Sequence, residues 1–232
     1  MNQMQNKQID TYKNNLSVLK NHQIKTLSLL KKYRPDCNDI LDLGCANGNL
    51  LLHLRELYPD ANLEGVEISP ELCEIANKQL TDVQNVKITN EDILQYAPSR
   101  QFDFIIAEGV HSIFEDPVQE IEKWSTWLND DGCLIVFGIF CPAELDFRFY
   151  YRNLKQNYGW ESGFNTPSLT TLKERLTSAN LSYKIESFDA SFDLPKVDNP
   201  IKSYTEKVSD KNRFILADSL IINFYHIIIQ KK

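Results

Sequence analysis

The chain has no surplus of positive charge: 25 lysines and arginines stand against 32 aspartates and glutamates, a formal net charge of −7. Proteins that grip a nucleic-acid backbone draw affinity from Lys and Arg displacing counterions, so the charge argues against a large basic footprint, leaving room only for a small local basic pocket, and no nucleic-acid partner is expected. Its cysteines lack pattern. They stand at 37, 45, 73, 133 and 141, an odd number without a C-x-x-C pair, which argues against both a disulfide framework and a zinc site. No metal is expected, and the thiols should be reduced and partly buried. Long hydrophobic runs are missing too. The opening Met1-Asn2-Gln3-Met4-Gln5-Asn6 is polar, and the most apolar stretch, Ile221 to Ile229, is broken by Asn223 and His226; neither reads as a signal peptide or a membrane span. A cytoplasmic protein with no membrane partner is the expectation. Internal repeats and low-complexity linkers are absent as well.

What is present is ordinary for a folded protein. Hydrophobic residues make up 42% of the 232 and charged residues 25%, close to averages for globular chains, and the length suits one elaborated domain with a single core. From residue 9 to 33, Ile9, Tyr12, Leu16, Leu19, Ile24, Leu27, Leu30 and Tyr33 recur at helical spacing among polar residues, predicting an amphipathic helical cap over 1–35. Asp39-Ile40-Leu41-Asp42-Leu43 then reads as a buried strand, followed by a glycine turn and a helix from Leu50 that ends before Pro59. Leu63 to Ile68 is a second strand, and Ser69-Pro70-Glu71 supplies a cap, a first-turn proline and a first-turn acid for the next helix. Further strands are read at Val86–Thr89, Phe102–Ala107 and Cys133–Phe137, with a Trp-bearing helix around 117–128. A helix after Pro167, a strand at Tyr183–Glu186 and β-rich Leu220–Ile229 close the chain.

Alternation of this kind predicts an α/β fold, a doubly wound, mostly parallel seven-stranded sheet with helices on both faces. Residues 36–140 would form the ligand-binding half. Two stretches fall outside the βα rhythm, 141–166, rich in aromatics, and 190–213, polar with Pro195 and Pro200; both are candidate lids or substrate walls.

The chemistry gathers at the first turn. Gly44 and Gly48 let backbone approach a ligand and place N–H groups at a helix start. A dinucleotide fingerprint would need G-x-G-x-x-G, whereas here the turn reads Gly44-Cys45-Ala46-Asn47-Gly48 behind the acid Asp42, a poor neighbour for pyrophosphate. The expected ligand carries an ammonium. Glu67 ends the second strand 19 residues after Gly48, near the interval of about 20 at which an acid bonds a ribose.

Leu41-Asp42-Leu43-Gly44-Cys45-Ala46-Asn47-Gly48 resembles the first motif of class I S-adenosylmethionine methyltransferases, and the similarity in element order runs over about residues 38–140. The resemblance implies S-adenosyl-L-methionine as cofactor and S-adenosyl-L-homocysteine as product. It assigns Asp42 to the methionine end, gives Gly44, Cys45, Ala46 and Gly48 to the turn around it, and puts Glu67 on the ribose hydroxyls and Ile68 against adenine. Asp92, with Ile93, matches the loop in which an acid meets the adenine amino group. Ala46 departs from the glycine common at its position, which implies a narrower turn. Glu108, at the end of the fourth strand, falls where related enzymes line the sulfonium and often place residues that touch the acceptor.

In-line methyl transfer needs alignment and exclusion of water more than a strong acid, and holding two reactants in line supplies roughly 7–11 kcal/mol of the barrier. An amine or phenol acceptor must also lose a proton, and His111 is a candidate to take it; Tyr12 is a second candidate catalytic residue. Arg148 and Arg152, four apart and hence expected on one helix face, with Tyr151, Tyr158 and Trp160, would suit an acidic small-molecule acceptor. The motifs of adenine methylation and the paired glutamates of protein arginine methyltransferases are missing. The layout is nearest to small-molecule methyltransferases of the trans-aconitate-like and biosynthetic O- or N-methylating kinds. Rival readings are a non-catalytic S-adenosylmethionine-binding protein, a protein methyltransferase and, disfavoured by Asp42, a dehydrogenase. Oligomeric state is left open.

Overall fold

The computed structural model describes residues 18–152, 154, 159–189, 196, 204–208, 211–216 and 220–231, giving only strand backbone over 207–222. Among them α1 (Asn21–Tyr33) precedes the alternation β1 (Asp39–Leu43), α2 (Asn49–Leu57), β2 (Asn62–Glu67), α3 (Pro70–Gln79), β3 (Val86–Asn90), β4 (Phe102–Glu108), α4 (Pro117–Ser125) and β5 (Leu128–Ile139). The short strands β6 (Tyr150–Tyr151) and β7 (Glu161–Ser162) follow, then α5 (Leu169–Ser178), β8 (Leu181–Phe188), β9 (Tyr204–Val208), β10 (Lys211–Leu216), β11 (Leu220–Ile222) and β12 (Phe224–Lys231).

Seven strands form one sheet in the order β3-β2-β1-β4-β5-β12-β8. All are parallel except β12, which runs antiparallel between β5 and β8. The expected seven-stranded, mostly parallel sheet is observed, and alternation along each strand divides its core in two. Leu41, Leu43, Ile105, Ala107, Leu134 and Val136 meet Val118, Ile121 and Trp124 of α4 and Leu172 and Leu176 of α5 on one face. On the other, Ile40, Leu63, Phe104, Ile106 and Ile135 meet Leu29 and Leu30 of α1 and Leu50, Leu51 and Leu54 of α2. Successive side chains of a strand point to opposite faces, so runs such as Phe104-Ile105-Ile106-Ala107 serve both layers, each fully buried aliphatic side chain contributing roughly 1.5–3 kcal/mol.

Helix starts obey the capping chemistry in the sequence. Ser69 Oγ accepts from Leu72 N and Asp116 Oδ1 from Val118 N and Gln119 N, each with proline next in line. Three boundaries differ from expectation. The Trp-bearing helix stops at Ser125, and β5 begins at Leu128 instead of Cys133, because the turn-like Asn129-Asp130-Asp131-Gly132 is absorbed as an irregularity, Asp131 taking a left-handed φ of 61° opposite a register shift in β4. Arg148 and Arg152 do not share a helix face: Tyr150–Tyr151 is strand, paired antiparallel with Glu161–Ser162, and Phe147 bridges to Thr166. Aromatic, β-branched-like crowding there favours extended backbone over the helix that the four-residue spacing suggested. Part of the 190–213 stretch lies outside the described residues; its residues 204–208 and 211–213 enter a three-stranded antiparallel sheet in the order β11-β10-β9.

Candidate functional site

The carboxyl ends of β1, β2 and β4 open on a cavity of about 400 Å³, a size within the usual range for small-molecule pockets. Its wall holds Gly44, Ala46, Glu67, Ile68, Asp92, Ile93 and Glu108 from the expected set. Asp42, Cys45 and Gly48 sit behind that wall, all buried at the base of the turn.

The turn is wound by its own backbone. Gly44 N and Cys45 N both donate to Val66 O, at 2.8 and 3.1 Å, and Gly48 N donates to Cys45 O at 2.9 Å. Ala46 N donates to Glu67 Oε2 at 3.1 Å and Asn49 N to Asn47 Oδ1 at 3.2 Å. These five N–H groups therefore already have acceptors, and the turn does not present the open row of donors that grips a pyrophosphate. Gly44 is required where it is: φ is +77°, and a Cβ would stand 2.4 Å from Val110 Cγ1. Ala46 occupies the left-handed region too, at φ +49°.

Glu67 ties two elements together, since its Oε1 accepts from Ser69 N at 2.8 Å while Oε2 holds the turn. Burial pushes its carboxyl up, and those backbone donors partly offset the rise. Asp42 is 4% exposed and is raised well above the ordinary carboxyl range, first by burial and then by the charges of Glu108 and Glu67. Three acids thus crowd one end of the sheet with little water, an arrangement that favours a cation among them. Asp92 Oδ1 accepts from Leu94 N, making a local turn that also exposes Asp92 to the cavity.

The far wall was not legible as a site. His22 and Lys20, at the start of α1, line it together with Phe137, Ser112, Phe114 and Phe164. His22 stacks on Phe137 with ring centroids 4.4 Å apart, and its Nε2 lies 3.5 Å from Glu108 Oε2. Thr26 donates to Glu108 Oε1 at 2.5 Å. Helical periodicity identified α1 as amphipathic but not which element it would cover; a histidine and a buried threonine on an otherwise aliphatic face were the only available sign.

Among the described residues of segment 141–166, Phe164 reaches the cavity, and its φ of +60° is left-handed. Asn165 anchors it: its N donates to Ser112 O, its Nδ2 to Phe114 O and Ser162 Oγ, and its Oδ1 accepts from Phe149 N. The residues expected to touch an acceptor lie elsewhere. Arg148 Nη2 is 3.9 Å from Asp116 Oδ1, Arg152 stands over the Trp160 ring at 5.4 Å, and Tyr151 Oη donates to Glu161 Oε2 at 2.9 Å; none lines the cavity. His111 is fully buried with Nε2 3.0 Å from Ile139 O, and burial drops it to about 4, so it stays neutral and away from the wall. Tyr12 and Tyr158 lie outside the described residues. Among the described residues no group of three or more His, Cys, Asp or Glu side chains is arranged to hold a metal, and no helix is long and apolar enough to cross a membrane.

Residues 41–134 match a methyltransferase domain family. The malonyl-[acyl-carrier protein] O-methyltransferase of Halalkalibacterium halodurans is 29% identical over 126 residues, which are 51% of this chain and 46% of that protein. A probable (S)-tetrahydroprotoberberine N-methyltransferase of Papaver bracteatum is 28% identical over 134 residues, 57% of this chain and 36% of the relative. The match thus spans less than half the length of either. Among solved structures, the O-methyltransferase of a trans-AT polyketide synthase multienzyme of Brevibacillus brevis, in complex with S-adenosyl-L-homocysteine, superposes with a TM-score of 0.58 at 19% identity, covering 71% of this chain and 54% of that one. At that identity the likeness is one of fold.

Proposed function

We propose that the chain, whose residues 41–134 match a methyltransferase domain family, is a class I, Rossmann-like methyltransferase that transfers a methyl group from S-adenosyl-L-methionine to a small-molecule acceptor. The observation that carries the reading is the turn itself: its amides are consumed internally while Glu67, Asp92 and Glu108 face the cavity and Asp42 backs it. That donor set suits a ligand rich in hydroxyls and positive charge and is unsuited to a pyrophosphate, so the residues fit the cofactor.

Glu67 would accept from the ribose hydroxyls, Ile68 and Ile93 would enclose the adenine with Asp92 at its amino group, and Asp42 would balance the positive charge at the other end. When bound, S-adenosylmethionine supplies an electrophilic methyl on a cationic sulfur. The chain's own part is alignment and exclusion of water, for which Phe114, Phe137 and Phe164 furnish apolar surface. Arg148 and Arg152 stand away from the wall, so the acidic-acceptor expectation loses the guanidinium pair it rested on. The acceptor is then a small molecule of the kinds that the relatives' names record, a carrier-bound acid or a nitrogen base.

Thermal melting with S-adenosylmethionine, S-adenosylhomocysteine and NAD tests this, since a ligand bound only by the native state raises stability once its concentration exceeds Kd. Both adenosyl compounds should raise Tm and NAD should not. No shift with either adenosyl compound would overturn the reading, and methyl release from labelled cofactor across a metabolite panel separates an enzyme from a binder.

A further inference from the structure

Glu108 differs from the other acids of the cavity wall. Glu67 accepts one backbone N–H at each oxygen and Asp92 is held at Oδ1 by Leu94 N, whereas Glu108 is met by side chains, Thr26 at Oε1 and His22 beside Oε2. Both partners come from α1, an element outside the sheet. Glu108 is only 9% exposed at its side chain, and it sits directly opposite Phe137 in the β4–β5 register. Phe137 in turn belongs to an aromatic cluster with His22, Phe188, Phe224 and His226. A carboxylate beside aromatic faces in a site of little water is the donor set that holds an ammonium, and it repels a carboxylate.

Resting on the methyltransferase reading above, we propose that the acceptor is a small primary or secondary amine, seated between Glu108 and the rings of Phe137 and Phe164, with Glu108 accepting its proton and His22 and Thr26 positioning that carboxylate from α1. The amine enters as an ammonium; an N–H bond breaks, an O–H bond forms on Glu108, and the freed nitrogen lone pair is the nucleophile. Glu108 afterwards returns its proton to solvent, so each turnover adds one methyl and releases one proton.

The environment suits this exchange. Burial pushes Glu108 up to about 7, against the lowering effects of Thr26, Lys20 and Gln23. The groups facing it are Lys20 just before α1, His22, Gln23 and Thr26 of α1, and Asp42 of β1. His22 cannot compete for the proton, because burial, Lys20 and His226 drop it to about 3. It acts as a neutral positioning residue.

The test uses the full chain and three matched sets of probes, amines such as phenethylamine, tyramine and benzylamine, with the alcohols and carboxylic acids of the same skeletons. Each is assayed for Tm shift in the presence of S-adenosylhomocysteine and for methyl transfer. Amines should stabilise the binary complex and be methylated with kcat/KM about tenfold or more above their counterparts. Preference for the alcohols or acids, or no amine that binds or reacts, overturns the proposal.

Glu108→Gln discriminates the site of action. If Glu108 serves the amine, the ratio of S-adenosylmethionine to S-adenosylhomocysteine affinity should stay within about threefold of wild type while amine KM rises about tenfold or more and the rise of kcat/KM with pH near 7 disappears. A selective loss of S-adenosylmethionine affinity would mean that Glu108 faces the sulfonium, overturning the inference. His22→Gln should shift the midpoint of that pH limb with Tm nearly unchanged; an unmoved midpoint removes His22 from the device. Failure of wild type to bind S-adenosylhomocysteine at all would count against the cofactor reading instead.

Discussion

The imidazole of His111 lies against the α-carbon of Gly138: a Cβ added at Gly138 would stand 2.2 Å from His111 Cε1 and 2.8 Å from Nδ1. The ring is closed in on its other side by Phe140, stacked with centroids 4.6 Å apart. Its packing accounts for His111 as a wedge between the loop after β4 and the end of β5. Gly138→Ala should therefore destabilise by about 1–3 kcal/mol, the usual cost of overpacking, read as a lower urea midpoint with an unchanged m-value. A neutral result would show that the histidine can move aside.

Burial of His111, His22 and His226 has a consequence in acid. Each is lowered from 6.5, to about 4, about 3 and about 4. Because the folded forms resist a proton that the unfolded chain accepts below about 6.5, stability is fully present above that value and is lost as pH falls toward 4. For the fully buried His111 alone the loss approaches ~3 kcal/mol by pH 4. Glu108 works in the opposite sense: raised to about 7, it favours folding below about 4.5 and that contribution fades as pH rises through 7. Asp42, Glu67 and Glu120 are raised too and act in the sense of Glu108, so the histidine contribution is read as a difference: between pH 6.5 and 4 the urea midpoint should fall less, relative to its value at pH 6.5, in His111→Gln than in wild type. Parallel slopes would exclude His111.

Glu67→Gln tests the ribose assignment. The amide keeps one acceptor for Ala46 N or Ser69 N but places an NH₂ where a second acceptor is needed. Loss of a charge-assisted hydrogen bond costs about 1.5–3 kcal/mol, so the Kd for S-adenosylhomocysteine by calorimetry should rise roughly ten- to hundredfold. An unchanged Kd would leave Glu67 as a purely structural tie.

Asn165→Ala should loosen the aromatic wall. Three side-chain hydrogen bonds of this fully buried residue would be lost, and with its backbone N–H to Ser112 O they hold Phe164 in a backbone conformation that side chains rarely adopt. A loss of about 2–4 kcal/mol in stability is expected, with acceptor KM rising more than cofactor Kd. Equal effects on both would place Phe164 outside the acceptor's reach.

How much of this was legible in the sequence follows from the range of the interactions. Strand runs, the cap at Ser69 and the turn from Asp42 to Gly48 are local, and they identified the sheet and one end of the cavity. Contacts between residues far apart in the chain left no local trace. Thr26 reaches Glu108 and Asn165 reaches Ser112 and Phe114, neither pair being readable from spacing. The Arg148 and Arg152 helix face failed for the related reason that pairing with Glu161–Ser162 overrides a four-residue spacing.

Ala46 shows where local reasoning and tertiary structure meet. Its φ of +49° lies in the left-handed region, which costs a residue with a Cβ roughly 1–2 kcal/mol. Glycine removes that strain and adds unfolded-state entropy worth about 0.5–1 kcal/mol in the other direction. Ala46→Gly should thus stabilise by about 0.5–1 kcal/mol, the difference of those two effects. Ala46 N also donates to Glu67 Oε2, and the residue lines the cavity. Relief of strain without loss of that bond should leave S-adenosylhomocysteine affinity equal or higher, because the methyl only narrows the turn. A variant that melts lower and binds more weakly would mean that alanine is required to hold the left-handed turn in register with Glu67, reversing the expectation drawn from its departure from glycine.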